Sequence, residues 1–190
     1  MKTQILNILI VEDKPLNIAA ARIMLAGHNL TSVSGFDGVL TALSDDSRAR
    51  NRIKAPDKFD VVLTDCMFPK GGYACMGAKG KALVNCQGEM PYGPMVVFHA
   101  IRMGVPSIGL ITQGNHHDDP FVFAFDDLDG FKGEKFNVVI TNSLEILVYR
   151  DTFQKPPETM DWEERGKLRE NNELVLVKDW GALLTETLKR

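Results

Sequence analysis

The sequence predicts an α/β protein: a doubly wound, five-stranded parallel sheet with helices on both faces. Three observations predict it. Ile8-Leu9-Ile10-Val11 is a continuous apolar, β-branched run, Phe59 to Thr64 reads as another buried-strand run, and Val105 to Thr112 reads as a strand entered through proline. Between such runs, apolar residues recur at helical spacing, and strand–helix alternation implies parallel pairing with right-handed crossovers. The first two runs end in acids, Glu12-Asp13 and Asp65, and ligand sites of open parallel sheets lie at the carboxyl ends of their strands.

In chain order, Ile8–Val11 is the first strand. Pro15 suits the first turn of the helix that follows, with Asp13 as its expected cap. Leu16, Ala19, Ala20, Ile23 and Met24 form that helix's apolar stripe until Gly27 stops it. Leu30 to Ser34 reads as a second strand closed by Gly35, and a helix is expected from Asp37 to about Arg50. Residues 59–64 form the third strand. Gly71 to Gly93 is glycine-rich and aperiodic and reads as a long loop. Val97, Phe98 and Ile101 restore helical spacing up to Gly104, and residues 105–112 form a strand entered through Pro106.

Residues 113 to about 160 interrupt the alternation. Five of the ten phenylalanines lie between Phe121 and Phe136, and the alternation of Phe136, Val138 and Ile140 predicts extra strands, with a turn at Asp129-Gly130. Leu144 to Tyr149 fits a strand or a short helix. Met160 to Asn171 is helix-compatible. Leu174 to Val177 is expected to be the last buried strand, followed at once by Lys178, and Trp180, Leu183, Leu184, Thr187 and Leu188 mark an amphipathic final helix.

Composition narrows the functional classes. Apolar residues make up 44% of the 190, enough for a sizeable core. No apolar run reaches the ~18 residues of a membrane span, and the N-terminus lacks a cleavage site of the secretory type. Three cysteines (Cys66, Cys75, Cys86) without a C-x-x-C pair suit free thiols in a reducing compartment. A net charge of −3 argues against direct nucleic-acid binding. The expectation is a cytoplasmic protein with no membrane and no nucleic-acid partner.

The predicted strand ends collect Glu12, Asp13, Asp65, Thr112 and Lys178. The stretches Ile8-Leu9-Ile10-Val11-Glu12-Asp13-Lys14-Pro15-Leu16-Asn17 and Phe59-Asp60-Val61-Val62-Leu63-Thr64-Asp65-Cys66-Met67-Phe68-Pro69 resemble the receiver domain of two-component response regulators. Residues 105–112 and 173–178 resemble it more weakly. The resemblance covers roughly residues 5–70, 94–113 and 160–190. It implies a flavodoxin-like strand order, 2-1-3-4-5, in one chemotaxis-regulator-like domain over residues 1–190, with insertions at about 71–93 and 113–160. It further implies that Asp65 is a phosphoacceptor and that Glu12, Asp13, Asp65 and the backbone carbonyl of Met67 hold a magnesium ion. Thr112 and Lys178 would bind the phosphoryl oxygens.

The chemistry is consistent with that implication. Phosphoryl transfer depends mainly on charge neutralisation, magnesium prefers carboxylates, waters and phosphate oxygens, and a lysine ammonium is a compact partner for a phosphate oxygen.

Four positions depart from the family. Gln113 stands where a small residue usually follows the threonine, and Asp179 stands where proline usually follows the lysine. Val175 replaces an aromatic that turns on activation. Met67 offers no polar side chain to a hydrolytic water, which predicts a long-lived phosphoryl-aspartate. The gaps from Asp65 to Thr112 and from Thr112 to Lys178 both exceed the family's intervals, the second by far.

Other clusters read as ordinary structure. His116-His117-Asp118-Asp119 has no second cluster at ligand spacing and reads as a solvated loop. Asp126 to Gly130 lacks the period and closing glutamate of a calcium loop. Arg48, Arg50, Arg52 and Lys54 read as a solvated helix end. The phenylalanine-rich segment reads as extra core, with a partner-binding aromatic patch as its alternative.

The sequence thus leads to a stand-alone receiver, phosphorylated by a histidine kinase or phosphotransfer protein, acting on a downstream protein, with a homodimer as one option. The competing expectation is a receiver-like binding module that is never phosphorylated and uses its insertions to hold a partner or ligand. A flavodoxin-like enzyme is disfavoured, because no nucleophile–base pair or glycine-rich phosphate loop stands at the strand ends.

Overall fold

The computed structural model describes residues 4–43, 59–69, 89–90, 92–112, 132–133, 136–142 and 144–189. Strands β1 (Asn7–Val11), β2 (Asn29–Val33), β3 (Val61–Asp65), β6 (Ser107–Thr112) and β8 (Phe136–Asn142) form a five-stranded parallel sheet in the order β2-β1-β3-β6-β8. In sheet terms this is 2-1-3-4-5, the flavodoxin-like order. The two-residue strand β7 (Lys132–Gly133) pairs antiparallel with β8 at the outer edge. Phe68–Pro69 (β4) and Glu89–Met90 (β5) form a small antiparallel pair.

The period-2 geometry of the strands distributes their side chains between two cores. Leu9, Val11, Val62, Ile108 and Leu110 point into one, closed by helices α2 (Gly35–Leu43) and α3 (Gly93–Met103). Ile8, Ile10, Val61, Leu63 and Ile111 point into the other, closed by α1 (Pro15–Met24) and α5 (Trp180–Leu188). Burial on both faces is why β1 and β3 read as unbroken apolar runs; β2, at the sheet edge, is largely exposed and more polar.

The fifth strand is not the one the sequence suggested. Leu174–Lys178 forms β10, which pairs antiparallel with β9 (Glu145–Tyr149) in a separate two-stranded sheet. The sheet's fifth strand is β8, within the stretch expected as an insertion. A short apolar run looks the same in either setting; the difference is that Leu176 faces solvent, 46% exposed, while Val148 and Val177 pack into the α1/α5 core. The ambiguous residues 144–149 are therefore largely strand. Between β9 and β10 lies α4 (Trp162–Glu170), capped by Asp161 and without buried residues.

Helix boundaries otherwise follow the sequence signals. Gly104 ends α3 in the left-handed conformation, φ 82°. Pro15 opens α1, but the cap position is Lys14, whose side chain makes no capping bond, and Asp13 does not cap the helix. The described part of α2 ends at Leu43, short of the expected Arg50. The His116–Asp119 cluster, Asp126–Gly130, Cys75, Cys86, Gln113, the 48–54 basic stretch and most of the 71–93 loop lie outside the described residues. No helix among the described residues is long and apolar enough to cross a membrane.

Candidate metal site

Parallel pairing of β1 with β3 aligns Val11 with Thr64, so Glu12 and Asp65 are each the next residue along adjacent strands. Neighbouring strands lie about 4.8 Å apart, which brings the two carboxylates together at the carboxyl edge of the sheet. Both are buried, Glu12 fully and Asp65 to within 2%. Asp13 joins them: one oxygen from each of the three lies within 4.8 Å of the others.

A buried carboxylate needs partners, and each of the two has them. Glu12 Oε1 accepts from the Lys14 backbone N–H at 2.9 Å, and Oε2 accepts from Asn17 Nδ2 at 3.1 Å. Asp65 Oδ1 accepts from the Cys66 backbone N–H at 2.6 Å. The charge is balanced by Lys178, itself fully buried: its Nζ lies 2.6 Å from Glu12 Oε2 and 2.5 Å from Asp65 Oδ2. Burial pushes the Glu12 carboxyl above its ordinary value. The Lys178 charge pulls it back, and the neighbouring Asp65 charge adds to the rise.

Lys178 reaches this position from the β9–β10 hairpin rather than from the parallel sheet. Its backbone N–H donates to Asn17 Oδ1 at 3.3 Å, and the indole Nε1 of the fully buried Trp180 donates to the Asn17 backbone oxygen at 3.0 Å. The ammonium also lies 5.7 Å from the Trp180 ring centroid, within cation–π range. Asp179, the residue in place of proline, caps α5 by accepting from the Ala182 N–H at 2.9 Å. Val175 is partly buried against the α1/α5 core.

The structure therefore brings together Glu12, Asp13, Asp65 and Lys178. Thr112 closes β6, one residue beyond Ile111, the partner of Asp65 in the ladder. Met67 lies between β3 and β4, half-buried against the α2/α3 core. The loop after Asp65 is held closely by α3: the Gly93 N–H donates to the Cys66 carbonyl at 2.9 Å, and a Cβ at Gly93 would stand 2.5 Å from the Asp65 carbonyl oxygen. Sequence reasoning missed Asn17. It sits three and four residues before the buried Ala20 and Ala21, a polar residue on the inward stripe of α1, and that position was the available signal.

The donor set fits a hard divalent cation. Three carboxylates gather where Lys178 reaches two of them, and Asp13 Oδ1 is buried without a hydrogen-bond partner among the described residues. That oxygen, with Glu12 and Asp65, offers the all-oxygen environment such ions take. No family model, no curated protein and no solved structure matches the chain.

Proposed function

We propose that this chain is a receiver-type phosphoacceptor, in which Asp65 takes a phosphoryl group from the phosphohistidine of a histidine kinase or phosphotransfer protein. The observation that carries the reading is the Glu12–Lys178–Asp65 arrangement at the sheet's carboxyl edge, beside the unpartnered Asp13 oxygen. An Asp65 carboxylate oxygen forms the new bond to phosphorus as the P–N bond breaks, and the donor imidazole keeps that electron pair. Lys178, freed from Asp65 Oδ2, pairs with a phosphoryl oxygen; Thr112 lies on the strand end next to β3 and offers a hydroxyl donor. Magnesium, held by Glu12, Asp13, Asp65 and the Met67 carbonyl, would neutralise phosphoryl charge. Output passes to a downstream protein by contact, in the cytoplasm, with dimerisation as one route.

Intact-mass measurement with magnesium and a small phosphodonor tests this. One phosphoryl adduct is expected in the wild type and none in Asp65→Asn. With no polar side chain at Met67, the adduct is expected to persist for minutes or longer, and decay within seconds would refute that part. The second reading, an unphosphorylated binding module, is favoured by one observation: both Asp65 oxygens are already engaged, by the Cys66 N–H and Lys178. Absence of the wild-type adduct would select it.

A further inference from the structure

Asn17 touches three parts of the site without being one of its charged groups. Its Nδ2 donates to Glu12 Oε2, the same oxygen that Lys178 Nζ contacts. Its Oδ1 accepts from the Lys178 backbone N–H, and its backbone oxygen accepts from Trp180 Nε1. It is itself buried, 4% exposed. A buried amide costs free energy unless its donors and acceptor find partners, so a core-filling residue would serve packing at this helix position better. An amide there has a different use. From α1 it bridges Glu12, at the end of β1, to the backbone of Lys178 on β10.

We infer that Asn17 is a positioning residue of the metal and phosphoryl site. It fixes the rotamer of Glu12 and holds the Lys178 backbone at the height where one ammonium reaches both Glu12 and Asp65. By occupying Glu12 Oε2 together with Lys178, it leaves the Glu12 carboxylate turned in one defined orientation toward the Asp13–Asp65 cluster. Without it, Glu12 and Lys178 remain a buried ion pair, but the Lys178 backbone loses its hydrogen bond to α1. This inference rests on the metal and phosphoryl reading above, and deepens it by naming what sets the geometry.

The test uses Asn17→Leu, which keeps nearly the same shape and removes both side-chain hydrogen bonds. Magnesium chloride binding is measured by titration calorimetry without any phosphodonor, and adduct formation by intact mass with acetyl phosphate. Residues that orient a metal ligand by hydrogen bonding typically change affinity or activity about 10- to 100-fold. A loss of that size in magnesium affinity and in adduct rate, with a far-UV spectrum that shows the variant folded at the assay temperature, is the expected result. An Asn17→Leu protein that binds magnesium and accepts phosphate like the wild type overturns the inference and leaves the phosphoacceptor reading standing. Wild type that binds magnesium but forms no adduct overturns that reading, while the calorimetric comparison still decides Asn17. Wild type that binds no magnesium overturns the inference. Asn17→Ser, which is too short to bridge Glu12 and Lys178, is the second variant; if neither variant folds, Asn17 serves stability and the inference falls.

Discussion

Glu12 and Asp65 stand at the ends of β1 and β3, which are hydrogen-bonded to each other along their length, whereas Lys178 arrives on β10, whose ladder runs to β9 outside the main sheet. The spacing of the acids is set by backbone pairing and by cores on both faces. The lysine depends on a two-stranded ribbon, an element marginal by itself. That ribbon is held through Val148 and Val177 in the α1/α5 core, through Asn17 and Trp180, and through the ion pairs themselves. One half of the site is scaffold, and the other is docked onto it. Substitutions on the two halves should therefore behave differently.

The largest effect is expected for Lys178→Met. It removes the docked cation and leaves two buried carboxylates facing each other, a loss of about 3–5 kcal/mol in urea unfolding at neutral pH. Magnesium should recover part of it, because ligand binding to the folded state alone is stabilising. An unchanged urea midpoint would break the distinction between scaffold and docked half. Gly93→Ala probes the scaffold half. Its Cβ would meet the Asp65 carbonyl oxygen at 2.5 Å and Cys66 Cα at 2.7 Å, both backbone atoms that cannot rotate away. Forcing the end of β3 aside should cost about 1–3 kcal/mol, seen as a lower melting temperature, and should slow adduct formation by moving Asp65.

Asp179→Ala is a smaller test of the docked half. Losing the α5 cap should cost about 1 kcal/mol in thermal unfolding, with Lys178 still paired. The smallest effect is a pH dependence. Glu12 binds its proton more tightly in the folded chain than in the unfolded one, so its contribution is fully present below the ordinary value near 4.5 and is lost as pH rises through the higher folded value. Glu12→Gln should remove that loss. In metal-free urea titrations at pH 4 and pH 7, the variant should lose less stability between the two than the wild type, while its magnesium binding falls.

Much of the scaffold half could be read from the residues. The runs ending in Glu12-Asp13 and Asp65 read as buried strands, because short apolar, β-branched runs suit strands covered on both faces. The docked half was legible only as chemistry. Lys178 could be picked out as the residue ending an apolar strand, but Leu174–Val177 carries no mark that distinguishes a ribbon from a sheet strand. Its pairing is decided by β9, a segment whose own periodicity was ambiguous. Phe136, Val138 and Ile140 showed strand alternation, yet alternation cannot say which neighbour a strand chooses, and the parallel partner Ser107–Thr112 settles that only in three dimensions. Asp13 reads as a cap because an acid just ahead of a proline-led first turn is a common helix start; here its carboxylate lies with Glu12 and Asp65 instead. Asn17 was overlooked because a single polar residue on a helical stripe is usually tolerated at its edge.

The order of the chain also bears on how the site is completed during synthesis. Lys178 follows Glu12 by 166 residues and lies after every strand of the main sheet. A polypeptide emerging from its N-terminus presents β1, β3, β6 and β8 before the lysine has left the ribosome. Until the ribbon docks, the acids at the sheet edge are without Lys178, their counter-charge. Of the four charged groups that the fold gathers there among the described residues, the one cation is the last to be made.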